Sequence, residues 1–84
     1  LVLCAPVHAT PQYDVTAALQ NLRAGRDAEA LALLNRALEA PGLTAGERAD
    51  ALEWRAYLHE RRGNRRAARV DLDAAIAAES ANPL

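Results

Sequence analysis

Apolar residues in the second quarter of the chain fall at helical spacing. Ala30, Leu34, Ala37 and Leu38 stand at i, i+4, i+7 and i+8, which is one face of an α-helix with polar residues around the remainder. The same face returns in the last quarter as Ala68, Leu72, Ala75 and Ile76, each 38 positions after its counterpart. Ala18 and Gly25 are matched at that offset by Ala56 and Gly63, so six residues recur in one register. An internal offset of this size marks a supersecondary unit that has been copied and stacked, and here the unit is a pair of helices.

The punctuation of the pattern divides each unit in two. Thr10-Pro11 opens a first helix, because threonine caps free amides and proline is tolerated at the first helical position. That helix is predicted to run to about Ala24, where Gly25 breaks it. A second helix restarts after Arg26-Asp27 and stops at Pro41-Gly42. Thr44-Ala45-Gly46-Glu47 has the spacing of a capping box, in which the threonine hydroxyl and the glutamate carboxylate each satisfy a free backbone amide. A long third helix is predicted from there to about Arg62, and Gly63-Asn64 makes the next turn. The fourth helix carries the repeated apolar face until Asn82-Pro83 ends it. The fold class expected is all-α, as two stacked antiparallel helix hairpins.

Composition agrees with close-packed helices. Half of the chain is hydrophobic, but much of that is alanine, with no phenylalanine or methionine and only Trp54, Tyr13 and Tyr57 as aromatics. Alanine is the strongest helix former and lets helices approach closely. Eighty-four residues form at most one small domain, whose core supplies only about 3–5 kcal/mol. Ten arginines against eleven acids give a net charge of −1, without the basic excess of a nucleic-acid-binding surface, so no nucleic-acid partner is expected.

Residues 1–9, Leu1 to Ala9, read as a leader. The stretch is mostly apolar and closes on Val7-x-Ala9, a small-residue pattern that signal peptidases accept, so it is expected to be a signal-peptide remnant, with a disordered leader as the alternative. Nine residues are too few for a membrane span, which needs about 20. Cys4 is the only cysteine, which excludes an internal disulfide and a cysteine metal cluster. Leu3 stands where a lipoprotein signal box has a small residue. Removal of the leader after Ala9 would leave a helical domain over 10–84 without cysteine, a composition suited to a periplasmic or secreted protein, with the cytoplasm as the alternative.

Ala18-x6-Gly25-x4-Ala30-x6-Ala37-Leu38 and Ala56-x6-Gly63-x4-Ala68-x6-Ala75-Ile76 resemble the skeleton of the tetratricopeptide repeat, with repeats over about 11–42 and 44–80. Small residues stand where helices cross closely, and glycine stands at the turn. The chain departs from that family where aromatics are usual: Asp14 and Leu52 occupy one such position, Asn21 and His59 another. The resemblance implies a concave groove, lined by the first helix of each repeat, that holds a peptide or a partner helix. On this chain that face would carry Val15, Leu19, Leu22 and Arg23 from the first repeat, and Glu53, Tyr57, Glu60 and Arg61 from the second. A plain four-helix bundle is the rival architecture.

Chemistry-bearing residues are few. His59 and Glu60 are adjacent on a helix and point in different directions, so they cannot share a substrate. His59 is expected at the hairpin interface with its ring nitrogen satisfied nearby. No phosphate-binding loop, zinc-protease motif or nucleophile motif occurs, so no catalytic residue, metal site or cofactor is expected. Arg62, Arg65, Arg66 and Arg69 form a basic cluster, a candidate patch for an acidic partner. Arginines at a helix amino end oppose its dipole, and Asp73, four residues beyond Arg69, is expected to offset part of that cost. Trp54 shares a face with Ala51 and Leu58 and is expected in the core, with a binding anchor as the alternative.

The function these features imply is a protein-interaction module, exported, that holds a peptide or helix in its groove. The alternative is a self-assembling helical domain whose exposed ends pair with copies of itself as a homodimer, because two repeats are fewer than a stacked array normally needs to cover its apolar ends.

Overall fold

The structure is a computed structural model that describes residues 10–80. The leader, with Cys4, His8 and the Val7-x-Ala9 pattern, lies outside the described residues, as does the Asn82-Pro83 stop. Four helices follow one another: α1 (Pro11–Arg23), α2 (Asp27–Glu39), α3 (Ala45–Arg61) and α4 (Arg65–Ser80). No strand occurs among the described residues. The fold is all-α, built as two antiparallel hairpins, α1–α2 and α3–α4, joined where α2 packs on α3.

The starts of α1 and α3 follow their capping residues. Thr10 Oγ1 accepts a hydrogen bond from the Tyr13 amide at 3.3 Å, with Pro11 in the first turn. Thr44 and Glu47 form the reciprocal capping box, with Oγ1 accepting from the Glu47 amide at 3.1 Å and Glu47 Oε1 accepting from the Thr44 amide at 2.9 Å. These contacts hold the Glu47 carboxyl below its ordinary range, first through the bond from the Thr44 amide.

The two hairpin turns are copies at the level of individual hydrogen bonds. Arg26 N donates to Asn21 O at 2.8 Å, and 38 positions on Asn64 N donates to His59 O at 2.8 Å. Gly25 N to Leu22 O is matched by Gly63 N to Glu60 O. The outer six-to-one bonds from Arg26 and Asn64 and the inner bonds from the glycines belong to a helix terminator that needs a left-handed residue, and Gly25 and Gly63 supply it at φ of 80° and 81°. A Cβ at either glycine would meet no atom within 4 Å, so only backbone strain opposes substitution. Gly25→Ala and Gly63→Ala are each expected to cost about 1–2 kcal/mol, nearly equally. Urea denaturation checks this, and a cost at one glycine without the other would contradict the equivalence of the turns.

The core is small side chains around a few leucines. Ala18, Ala30 and Ala37 of the first hairpin, and Ala56, Ala68 and Ala75 of the second, are all buried, so the repeated small residues stand where the helices of each hairpin meet. Each hairpin also has one buried carboxylate clamped across it. Asp14 accepts from Arg36 Nε and Nη2, both at 2.9 Å. Asp71 accepts from Arg55 Nε and Nη2, both at 2.7 Å. The first clamp runs from a carboxylate on α1 to an arginine on α2, and the second runs the other way, from an arginine on α3 to a carboxylate on α4. Asp14 is held in the interior of its hairpin by the pairing of its charge with Arg36.

The repeat breaks down on its outer face. Leu34 and Leu38 are buried, 1% and 7% exposed, whereas their counterparts Leu72 and Ile76 are 45% and 63% exposed. Periodicity predicts one buried face on both helices. The difference is positional: α3 packs on α2, and among the described residues no helix takes the corresponding place on α4.

Candidate functional site

The first helices of the two hairpins, α1 and α3, are tied at their amino ends. Gln12 Nε2 donates to Gly42 O at 2.8 Å and to Glu47 Oε1 at 3.0 Å, so one amide side chain fixes α1 against the link between hairpins and the start of α3. Beside this tie lies an open groove of about 180 Å³, lined by Gln12, Val15 and Thr16 from α1, Leu43 from the link, and Glu47 and Asp50 from α3. Of the eight groove residues read from sequence only Val15 lines it, and Gln12, Thr16, Leu43, Glu47 and Asp50 were not among them. The i, i+3, i+4 spacing of Gln12, Val15 and Thr16 with Leu19 is the signal that extends the face in that direction.

Further along α3, Tyr57 and Trp54 are exposed, 44% and 37%. Their rings meet edge to face, with centroids 6.0 Å apart and planes at 90°. Arg61, one turn beyond Tyr57, donates from Nη1 to the Tyr57 hydroxyl at 3.1 Å, and its guanidinium carbon lies 5.5 Å from the ring centroid. The same guanidinium donates from Nε to Asp27 Oδ2 at 3.0 Å, which links the end of α3 to the start of α2. Arg61 is held charged first by its bond to Tyr57 and then by the nearby Asp27 carboxylate. Trp54, expected in the core, thus sits at the surface against Tyr57, although Ala51 and Leu58 of the same helix are buried.

The other groove residues are placed as follows. Leu19 is half-buried and Arg23 and Glu53 are exposed. Val15 and Leu22 are half-buried and pack against the core cluster. Glu60 is exposed and lines a second, separate groove with residues of α4. His59 lies at the hairpin interface, with Nε2 3.6 Å from the Asp71 carboxylate that also holds Arg55.

The basic cluster is exposed. Arg62, Arg65, Arg66 and Arg69 form no ion pair with any described residue, and the expected Arg69–Asp73 pair is absent, although Glu60 and Asp73 line the same groove as Arg65, Arg66 and Arg69. Among the described residues no group of three or more potential ligands could hold a metal ion, and no helix is long and apolar enough to cross a membrane. No protein-family model matches the chain, and no curated protein or solved structure is similar to it. The all-α double hairpin is therefore defined by its own geometry.

Proposed function

We propose that the chain is a protein-interaction module of the tetratricopeptide type, which holds a peptide or partner helix in the groove between α1 and α3. The observation that carries this reading is the Trp54–Tyr57–Arg61 array. A chain with only three aromatic residues leaves all of them substantially exposed, and fixes two of them, through ring contact and the Arg61 bonds, on the helix that borders the groove. Aromatics and arginine held in place before binding lose little freedom on association, and these residue types dominate binding energy at interfaces. Val15 and Leu19 supply an apolar floor, with Arg23, Glu53 and Arg61 as a charged rim.

Leu19 and Tyr57 are related by the 38-residue offset, and both stand one position beyond the alanines that face the partner helix of their own hairpin. As a groove pair, Leu19→Ala with Tyr57→Ala removes partner capture while costing less than about 1 kcal/mol of stability, whereas a core pair would cost about 2–5 kcal/mol for each residue. Capture from a source extract, run beside urea denaturation of the double variant, separates the two. A large stability loss would remove the site from consideration.

Export is part of the same proposal and rests on Val7-x-Ala9. A mature chain beginning at Thr10 retains the residue that caps α1. Intact mass from the native host is expected to start at Thr10, and a species retaining residues 1–9 would return the protein to the cytoplasm.

A further inference from the structure

One uncovered face of α4 has a charge pattern that the rest of the fold does not explain. Along one stripe of α4 stand Arg65, Arg69, Leu72, Ile76 and Glu79, spaced four, three, four and three residues apart. This is the heptad spacing of a helix seam, about 21 Å long at 1.5 Å per residue. All five are exposed, and the first four line an open groove of about 690 Å³. The stripe is basic at its amino end, apolar in the middle and acidic at its carboxyl end.

Both charged ends oppose the α4 dipole. Helices α1, α2 and α3 each carry an acidic residue in the first turn and a basic residue in the last, while α4 has neither. Arg65 and Arg69 at the positive end and Glu79 at the negative end are unfavourable for an isolated helix. None of the three forms an ion pair with a described residue. An antiparallel neighbour carrying the same stripe corrects both ends at once, because its negative end then lies beside these arginines and its positive end beside Glu79.

We infer that α4 is a homotypic docking surface, on which a second copy of this chain packs its own α4 antiparallel about a two-fold axis centred near Leu72. In that register Arg65 faces Glu79 of the partner subunit, and the reciprocal pair forms by symmetry. Leu72 meets Leu72 of the partner subunit, and Ile76 lies against the methylenes of Arg69 of the partner subunit. The two apolar side chains that the repeat leaves uncovered become the centre of the contact. A head-to-tail stack fits less well. Continuing the repeat would set α1 of another copy on α4 as α3 sits on α2, and the offset would then bring Arg23 of the partner subunit onto Arg65, where the internal junction has Arg61 on Asp27. One helix face per subunit is a small interface, so the dimer is weak and concentration-dependent. It uses a different face from the α1/α3 groove and stands or falls apart from it.

Two charge reversals test the inference in sedimentation equilibrium of the full chain, in reductant so that Cys4 contributes nothing. Arg65→Glu faces two glutamates across the axis, and Glu79→Arg faces two arginines, so each alone is expected to weaken the dimer about tenfold or more. Mixed in equal amounts, the two variants pair Glu with Arg at both contacts, and dimer is expected to return. Each substitution also suits its own helix dipole, so circular-dichroism melts are expected to show subunits at least as stable as the parent while the dimer is lost. A parent chain that stays monomeric at every concentration would overturn the inference and leave the face to a different helix. A dimer that survives both single reversals, or that the mixture does not restore, would overturn the two-fold arrangement.

Discussion

Leu34→Ala is expected to cost about 2–5 kcal/mol, while the same change at its repeat counterpart, Leu72→Ala, costs less than about 0.5 kcal/mol in the monomer. The two leucines occupy equivalent positions of two equivalent helices, and sequence alone gives no reason to separate them. Leu34 is 1% exposed and belongs to the core cluster that draws on both hairpins, and removing its methyl groups leaves a cavity. Leu72 is 45% exposed, and truncation returns little surface to water. A core that supplies only about 3–5 kcal/mol puts the Leu34 variant at or below the threshold of folding at 25 °C. Urea unfolding checks both variants at a low protein concentration, where α4 contacts between copies do not contribute. Equal losses at the two positions would mean that α4 is covered in the monomer as α2 is.

The second large effect lies at the buried carboxylates. Asp71→Asn keeps the shape of the side chain but sets an amide beside a guanidinium that had two 2.7 Å bonds, and it also removes the acid beside His59. Breaking one side of a buried pair costs about 3–5 kcal/mol where the remaining charge stays buried. The Arg55 side chain is 24% exposed, so some solvent reaches it and about 2–3 kcal/mol is expected. Asp14→Asn makes the same change in the first hairpin, but the Arg36 side chain is 56% exposed and can turn to water, so a smaller loss than at Asp71 is expected there. Thermal and urea unfolding of both variants checks the order. A larger loss at Asp14 than at Asp71 would contradict this account of what holds each hairpin.

The local signals in the sequence carried most of the fold. Thr10, Pro11, Thr44 and Glu47 announce helix starts because capping is a contact between residues three or four apart, and Gly25 and Gly63 announce turns because only glycine takes that backbone angle without strain. The 38-residue offset reaches beyond spacing, since it also reproduces the hydrogen bonds of both turns. What was not legible depends on which helix lies next to which. Periodicity marks an apolar face without saying whether anything covers it, so it buries Leu72 and Ile76 along with Leu34 and Leu38. The cross-hairpin clamps were hidden for the same reason. Asp14 and Arg36 are 22 residues apart, and Arg55 and Asp71 are 16 apart, so no local pattern links either pair. The placement of Trp54 outside the core follows from helix phase. The two sides of α3 that meet α2 and α4 are filled by Ala51, Leu52, Ala56 and Leu58, which leaves the bulkiest residue on the open side.

The groove reading is tested most directly by amide and indole chemical-shift mapping of the chain, titrated with a peptide selected against it from a random displayed library. Trp54 is the only tryptophan, so its indole N–H is a single unambiguous reporter on the helix that borders the groove. Saturable shifts of that proton, together with the amides of Thr16, Leu19 and Tyr57, are the result predicted here. Selected peptides whose shifts fall on α4 alone, with Trp54 and Leu19 unmoved, would contradict a recognition groove between α1 and α3.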